Sequence, residues 1–166
     1  SNFIVDGVKE AEVIKGAYNA EYGGRLSAVL NVISREGNQK EFKGKANISL
    51  LSAQSTLEGP FYKGAWILSG RRTYFDLVLP KVLPDNIATN IPPYYFYDVQ
   101  GHIFSDINSK DRLSLSYYTG IDDIVFDTFG LDGRWGNTTI SGHWRRVFSE
   151  RLVGNFLLAN SNFRTM

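Results

Sequence analysis

From Phe42 to the end of the chain, apolar and polar residues alternate with a period of two, in one run after another. Successive side chains of a strand point to opposite faces, so this period marks strands with one apolar and one polar side. Phe42, Gly44, Ala46, Ile48 and Leu50 alternate with Lys43, Lys45, Asn47 and Ser49, which predicts a strand over Phe42–Ala53. A second strand is expected over Gln54–Tyr62, a tight turn at Lys63-Gly64, and a third strand over Ala65–Leu77. Leu79–Pro93 holds four of the five prolines. Proline removes a ladder donor, so a loop is expected there. Tyr94–Ile107 sets Tyr95, Tyr97, Val99, Gly101 and Ile103 against Asp98, Gln100 and His102. Asn108–Asp111 is a turn signal. In Arg112–Phe126, Leu113, Leu115, Tyr117 and Ile121 oppose Ser114, Ser116 and Gly120. Asp127–Gly136 is polar and Gly-rich and is expected to be a loop. In Asn137–Phe148, Ile140, Gly142 and Trp144 oppose Thr139, Ser141, His143 and Arg145. A turn at Ser149–Arg151 leads to a last strand from Leu152. The expectation is an all-β antiparallel meander of about seven strands with no convincing helix.

Residues 1–40 follow a different pattern. Glu12–Gly16 (EVIKG) is a short β-branched run, and Ala28–Ser34 (AVLNVIS) is another. Between them, AYNAEYGGR has room for about one helical turn before Gly23-Gly24 stops it. A small mixed unit is therefore expected over 1–40, and the meander over 41–166.

Composition narrows the class. Aromatic residues make up 14%, with nine Tyr and eleven Phe. The net charge of +1 argues against a nucleic-acid footprint, which would be basic. There is no cysteine, hence no disulfide and no thiol chemistry. No apolar run is long enough for a transmembrane helix, but a barrel strand crosses a bilayer with about ten alternating residues. The expected connections alternate: short at 63–64, 108–111 and 149–151, long at 79–93 and 127–136. Outer-membrane β-barrels pair short periplasmic turns with longer extracellular loops in this way.

Three pieces occur in order: Glu12-Val13-Ile14-Lys15-Gly16, Glu21-Tyr22-Gly23-Gly24 and Val29-Leu30-Asn31-Val32-Ile33. As an ordered set they resemble the end of the plug domain of TonB-dependent outer-membrane receptors. Downstream, LEGPF (Leu57–Phe61), SGRRTYFD (Ser69–Asp76), YYFYD (Tyr94–Asp98) and RWGNTT (Arg134–Thr139) are similar to the first barrel strands of such receptors of the Bacteroidetes type. The sequence departs at Ala17, where many members have Pro, and at Arg35-Glu36, where many have Lys-Arg.

The resemblance implies that 1–40 is the C-terminal part of a plug. It implies that 41–166 holds the N-terminal strands of an incomplete transmembrane β-barrel in the outer membrane of a Gram-negative bacterium. A whole barrel of about 22 strands needs several hundred residues. The chain has 166, and its only Met is Met166, so a piece of a larger protein is expected. The implied activity is energy-coupled uptake of a scarce ligand: a siderophore, cobalamin, an oligosaccharide or a peptide. Plug rearrangement would drive it, without cofactor, resident metal or covalent catalysis. The implied partners are the TonB complex, through a segment absent from this chain, the lipid of the outer membrane and an unidentified small ligand; no nucleic acid is expected. An isolated piece with open sheet edges is expected to self-associate. Basic plug residues of the family meet glutamates of the barrel wall, which singles out Lys15 and Arg35. Parity places the long loops on the ligand side, with Asp85, Asn86, Tyr94, Asp132, Arg134 and Trp135 as contact candidates. The alternative is a soluble β-barrel or sandwich module binding a glycan or lipid on an aromatic face.

Other chemistry is sparse. His102 and His143 lie on polar strand faces without a Cys/His spacing motif, so lumen-type polar residues are the simpler assignment. Asp122-Asp123 with Asp127 could form a carboxylate cluster, but adjacent strand residues face opposite ways. The same rule separates Arg71 from Arg72. No phosphate-cradling glycine motif is present, and nothing in the pattern points to an enzyme.

Overall fold

The computed structural model describes residues 4–15, 28–82, 84, 94–126 and 131–165. A 3-10 turn at Val5–Gly7 leads into β1 (Val8–Lys15), which pairs antiparallel with β2 (Ala28–Ser34) from Val8–Ser34 to Lys15–Ala28. The turn or short helix expected between them lies outside the described residues. Seven further strands follow: β3 (Lys43–Ile48), β4 (Ser52–Phe61), β5 (Gly64–Thr73), β6 (Tyr94–Asp106), β7 (Asp111–Phe126), β8 (Leu131–Ser149) and β9 (Leu152–Thr165). They form one sheet in chain order, each antiparallel to the next, with β3 and β9 at its edges. The fold is all-β, as the period-two runs require.

Register aligns the two faces across the whole sheet. Leu57, Leu68, Gly101, Tyr117, Ile140 and Asn160 stand directly opposite one another along one row. One position along, Glu58, Ile67, His102, Ser116, Ser141 and Ala159 form a row on the other face. The apolar face is the exposed one. Leu57, Leu68, Leu115, Tyr117 and Ile140 are 39–46% exposed, and Leu158 is 82% exposed. The polar face is partly covered. It holds the buried Thr56, Ser69, Asp98, Gln100 and Tyr118, with Ala65, Ile67 and Phe104. Water-soluble sheets bury the apolar side and expose the polar one; this sheet does the reverse.

Several expected boundaries move. The strand foreseen over Phe42–Ala53 is broken by a turn. Ser49 N donates to Ser52 O, and the Ser49 hydroxyl accepts from Ser52 N, so β3 ends at Ile48. The next turn is Tyr62-Lys63 rather than Lys63-Gly64, with Tyr62 left-handed at φ 52. The third strand ends at Thr73, not Leu77. A helix, α1 (Phe75–Val82), replaces its end and the start of the expected loop. Leu77 N and Val78 N donate to Tyr74 O. Asp76 in the first turn and Lys81 in the last suit the helix dipole, and Asp76 meets Arg72 at 3.7 Å. The Phe75 ring rests 6.3 Å from Tyr94. The loop expected over Asp127–Gly136 is also shorter, because β8 begins at Leu131 and pairs with β7 from there. Only 127–130 separates the two strands, no more than the 107–110 connection. The strict alternation of short and long connections therefore fails; within the seven-stranded sheet the long connection is that between β5 and β6, residues 74–93.

Candidate functional site

The covered part of the polar face carries residues 4–7 and 35–37. Arg35 follows β2 directly. Its guanidinium donates to both carboxylate oxygens of Glu58 on β4, at 3.2 and 3.0 Å, and to the backbone O of Asp6 at 2.8 Å. Glu36, next along, meets Arg112 of β7 at 3.1 Å. Arg112 is also held by Asp106, at 2.6 and 3.0 Å, and lies 4.6 Å over the Phe104 ring. Two adjacent residues of opposite charge thus grip two charges of the sheet, on β4 and β7, in a crossed pattern. Arg35 and Arg112 keep 39% and 36% of their side-chain surface exposed, so the pairs are half-desolvated.

The 3-10 turn adds a second hold. The Asp6 carboxylate accepts from Lys45 Nζ at 2.9 Å and from the Gln54 amide. Gly7 O accepts from Gln100 Nε2 at 3.0 Å and from Arg35 N at 2.9 Å. Ile4, wholly buried, anchors the turn. Gly37, at φ +85, lets the chain leave this site against the backbone of Trp66, whose O would lie 2.4 Å from a Cβ there.

Further along the same face, Asp98 is wholly buried. It accepts from Arg71 Nε and Nη2 at 3.0 and 2.6 Å and from the Tyr118 hydroxyl at 3.1 Å. Arg71 lies 5.0 Å over the Phe96 ring. Tyr94 donates to Asp122 at 3.1 Å and sits 5.8 Å from Phe96. Phe96, Asp122 and Trp135 share one row of the register, so aromatic rings and a carboxylate gather at the end of the face next to α1. Flat rings beside a buried acid suit stacking against a sugar ring or a cation.

Of the residues singled out from sequence, Arg35 meets a glutamate. Lys15 is exposed at the end of β1 and makes no ion pair among the described residues. Asp85 and Asn86 lie outside the described residues. Tyr94 opens β6. Asp132, Arg134 and Trp135 are strand residues of β8, not loop residues, because the ladder to β7 runs through them. Arg134 and Trp135, being adjacent, face opposite ways: Arg134 meets Asp123 on the apolar face at 3.7 Å, and Trp135 pairs in register with Asp122 on the polar face. Asp122 and Asp123 are likewise split between the faces, as are Arg71 and Arg72, the latter lying 5.6 Å over Tyr95. His102 Nδ1 is 2.8 Å from the Ser116 hydroxyl. No cluster of three or more His, Asp or Glu suited to a metal exists among the described residues.

Glu58, Arg112, Asp6 and Gln100 were not singled out by sequence. Period-two alternation gave the face of Gln100 but not its partner, and gave neither for Asp6, which lies in a 3-10 turn. No helix among the described residues is long and apolar enough to cross a membrane, which says nothing of strands. Comparison with known families, curated proteins and solved structures finds no match.

Proposed function

We propose that this chain is the end of the plug and the first wall strands of a TonB-dependent outer-membrane receptor, which takes up a scarce ligand by force-driven plug rearrangement. The observation that carries this is the inversion of the sheet: its polar face is gripped by residues 4–7 and 35–37 while its apolar face stands exposed. In a barrel those faces are lumen and lipid sides, and residues 1–40 are plug. The crossed pairs Arg35–Glu58 and Glu36–Arg112 then tie plug to wall. Half-exposed pairs are each worth no more than about 1–2 kcal/mol, between surface and buried values. They hold the plug at rest and yield one by one to a pull from the periplasm. The aromatic and acidic end of the lumen face, near α1, lies on the opposite, extracellular side, where ligand arrives. Segment 35–42 enters the wall beside the Tyr62-Lys63 turn, so that end is periplasmic.

The test uses the full-length protein that carries this chain, produced in a Gram-negative host. It is expected in the outer-membrane fraction, and a tag inserted after Asn86 is expected to be reached by antibody on intact cells. Recovery in the soluble fraction overturns the proposal and leaves a soluble binding module. A membrane-bound protein whose tag is reached only after the outer membrane is opened overturns the orientation.

A further inference from the structure

On the apolar face, the character of the strands changes along their length. On β8, Trp144, Gly142 and Ile140 give way to Thr138, Gly136 and Arg134; on β9, Phe156 and Leu158 give way to Asn160, Asn162 and Arg164. At this boundary lies a hollow of about 300 Å³, lined by Ile121, Arg134, Thr138, Ile140, Asn162 and Arg164 among others. Gly136 stands between Ile121 and Arg164 in the register and leaves its floor flat. Donors dominate the lining: two guanidiniums and the amides of Asn160 and Asn162. Thr119 and Thr138 hydroxyls bond each other at 3.0 Å across the floor. The nearby carboxylate, Asp123, is already held by Arg134 and by the Tyr95 hydroxyl at 3.1 Å. Arg164 has no acidic partner among the described residues, so the hollow carries net positive charge.

We infer that this hollow binds the phosphate of a lipid head group, with Arg134 and Arg164 as its clamp and the acyl chains lying along Ile140, Tyr117 and Leu158. Planar guanidiniums match phosphate oxygens two at a time. The site opens on the exposed apolar face, one row from the leucine and isoleucine side chains, which a soluble anion would not need. The inference rests on the assignment of this face to lipid. Its readout in detergent is separate from cell fractionation, so either can fail alone.

The full-length protein in a zwitterionic detergent is titrated with short-chain phosphatidic acid, with phosphatidylcholine of the same chain length and with inorganic phosphate, and bound ligand is counted by native mass spectrometry. Phosphatidic acid is expected to bind at one site that inorganic phosphate does not fill at the same concentration. Arg164→Gln is expected to weaken it roughly tenfold, about 1.4 kcal/mol. The double variant Arg134→Gln/Arg164→Gln should abolish it. Arg134→Lys/Arg164→Lys should retain part of it. Arg151→Gln, in the distant turn, should leave it unchanged. Equal binding by the double glutamine variant, or none by the unaltered protein, overturns the site. Equal occupancy by inorganic phosphate or by phosphatidylcholine overturns the assignment to an anionic lipid phosphate.

Discussion

Arg35 and Glu36 show how much a pair of adjacent charges can decide. Removing Glu58 leaves the Arg35 guanidinium bonded to the Asp6 carbonyl but without a counter-charge. A double-mutant cycle on Arg35→Ala and Glu58→Ala, read by denaturant unfolding in detergent, should give a coupling of about 1–2 kcal/mol, below a fully buried pair because Arg35 is part-exposed. Reversing both sides of the Arg35–Glu58 pair (Arg35→Glu with Glu58→Arg) should recover part of the loss; reversing one side alone should not. Asp98 is a different case, being wholly buried. Asp98→Ala withdraws the carboxylate from Arg71 and the acceptor from Tyr118, and should cost about 3 kcal/mol or more in the same unfolding assay. A loss under about 1 kcal/mol would mean that this cluster carries little of the stability. The sequence marked Arg35 through a resemblance, but not what it meets. Glu58 sits in LEGPF and Arg112 beside a turn, and nothing local to either says that a segment twenty or more residues away will lie over it. Pairing across that distance is set by register and by how the chain folds back, which alternation does not encode.

Strands were legible where both faces differed in polarity over many residues. β6 and β7 match their expected spans almost to the residue, since Tyr97–Ile103 and Leu113–Tyr117 alternate without interruption. Three places were not legible, each for a physical reason. At Ser49–Leu51 only the adjacent Leu50 and Leu51 interrupt the alternation, too little to mark a turn, and Ser49 turns the chain through its own N–H and hydroxyl. At Phe75–Val82 eight residues suffice for two helical turns, too few to show a 3.6 period against a background of apolar residues and Pro80. At 131–136 the Gly-Arg-Trp-Gly run looked like a loop, yet the long partner β7 supplies a ladder that carries it. Sidedness itself can be tested on adjacent β7 residues in the middle of the apolar band. Leu115→Arg places a charge on the exposed apolar face; Ser114→Arg places it on the polar one. If the apolar face meets lipid near the bilayer midplane, the first should cost about 2–4 kcal/mol of folding stability in vesicles and the second little. Similar losses at the two positions would remove the distinction between the faces.

The molecule as a whole has a surplus of the wrong surface and two unfinished edges. Phe61, Leu68, Leu113, Leu115, Ile140, Phe156, Leu157 and Leu158 are all at least 45% exposed, far more apolar surface than a stable soluble monomer leaves to water. Its buried apolar set among the described residues is only Ile4, Ala65, Ile67, Phe104 and Tyr118. β9 is 14 residues long and pairs on one side alone, with β8, so its other side offers a row of unpaired N–H and C=O groups. β3 offers a shorter row at the opposite edge. In hydrocarbon each such group costs several kcal/mol, so this sheet cannot rest in a bilayer until further strands close it. In water the edges are templates for another copy, and the apolar face favours stacking. Residues 1–166 alone, studied by light scattering, should therefore form polydisperse assemblies without detergent and smaller particles with it. A proline placed in mid-β9 at Leu158 should reduce edge pairing without touching the apolar face elsewhere. If the assemblies shrink with that variant, pairing through β9 drives them; if only detergent shrinks them, the apolar face does. A monodisperse monomer in plain buffer would mean that the exposed face is covered by the chain itself, and the lipid-facing assignment would fall with it.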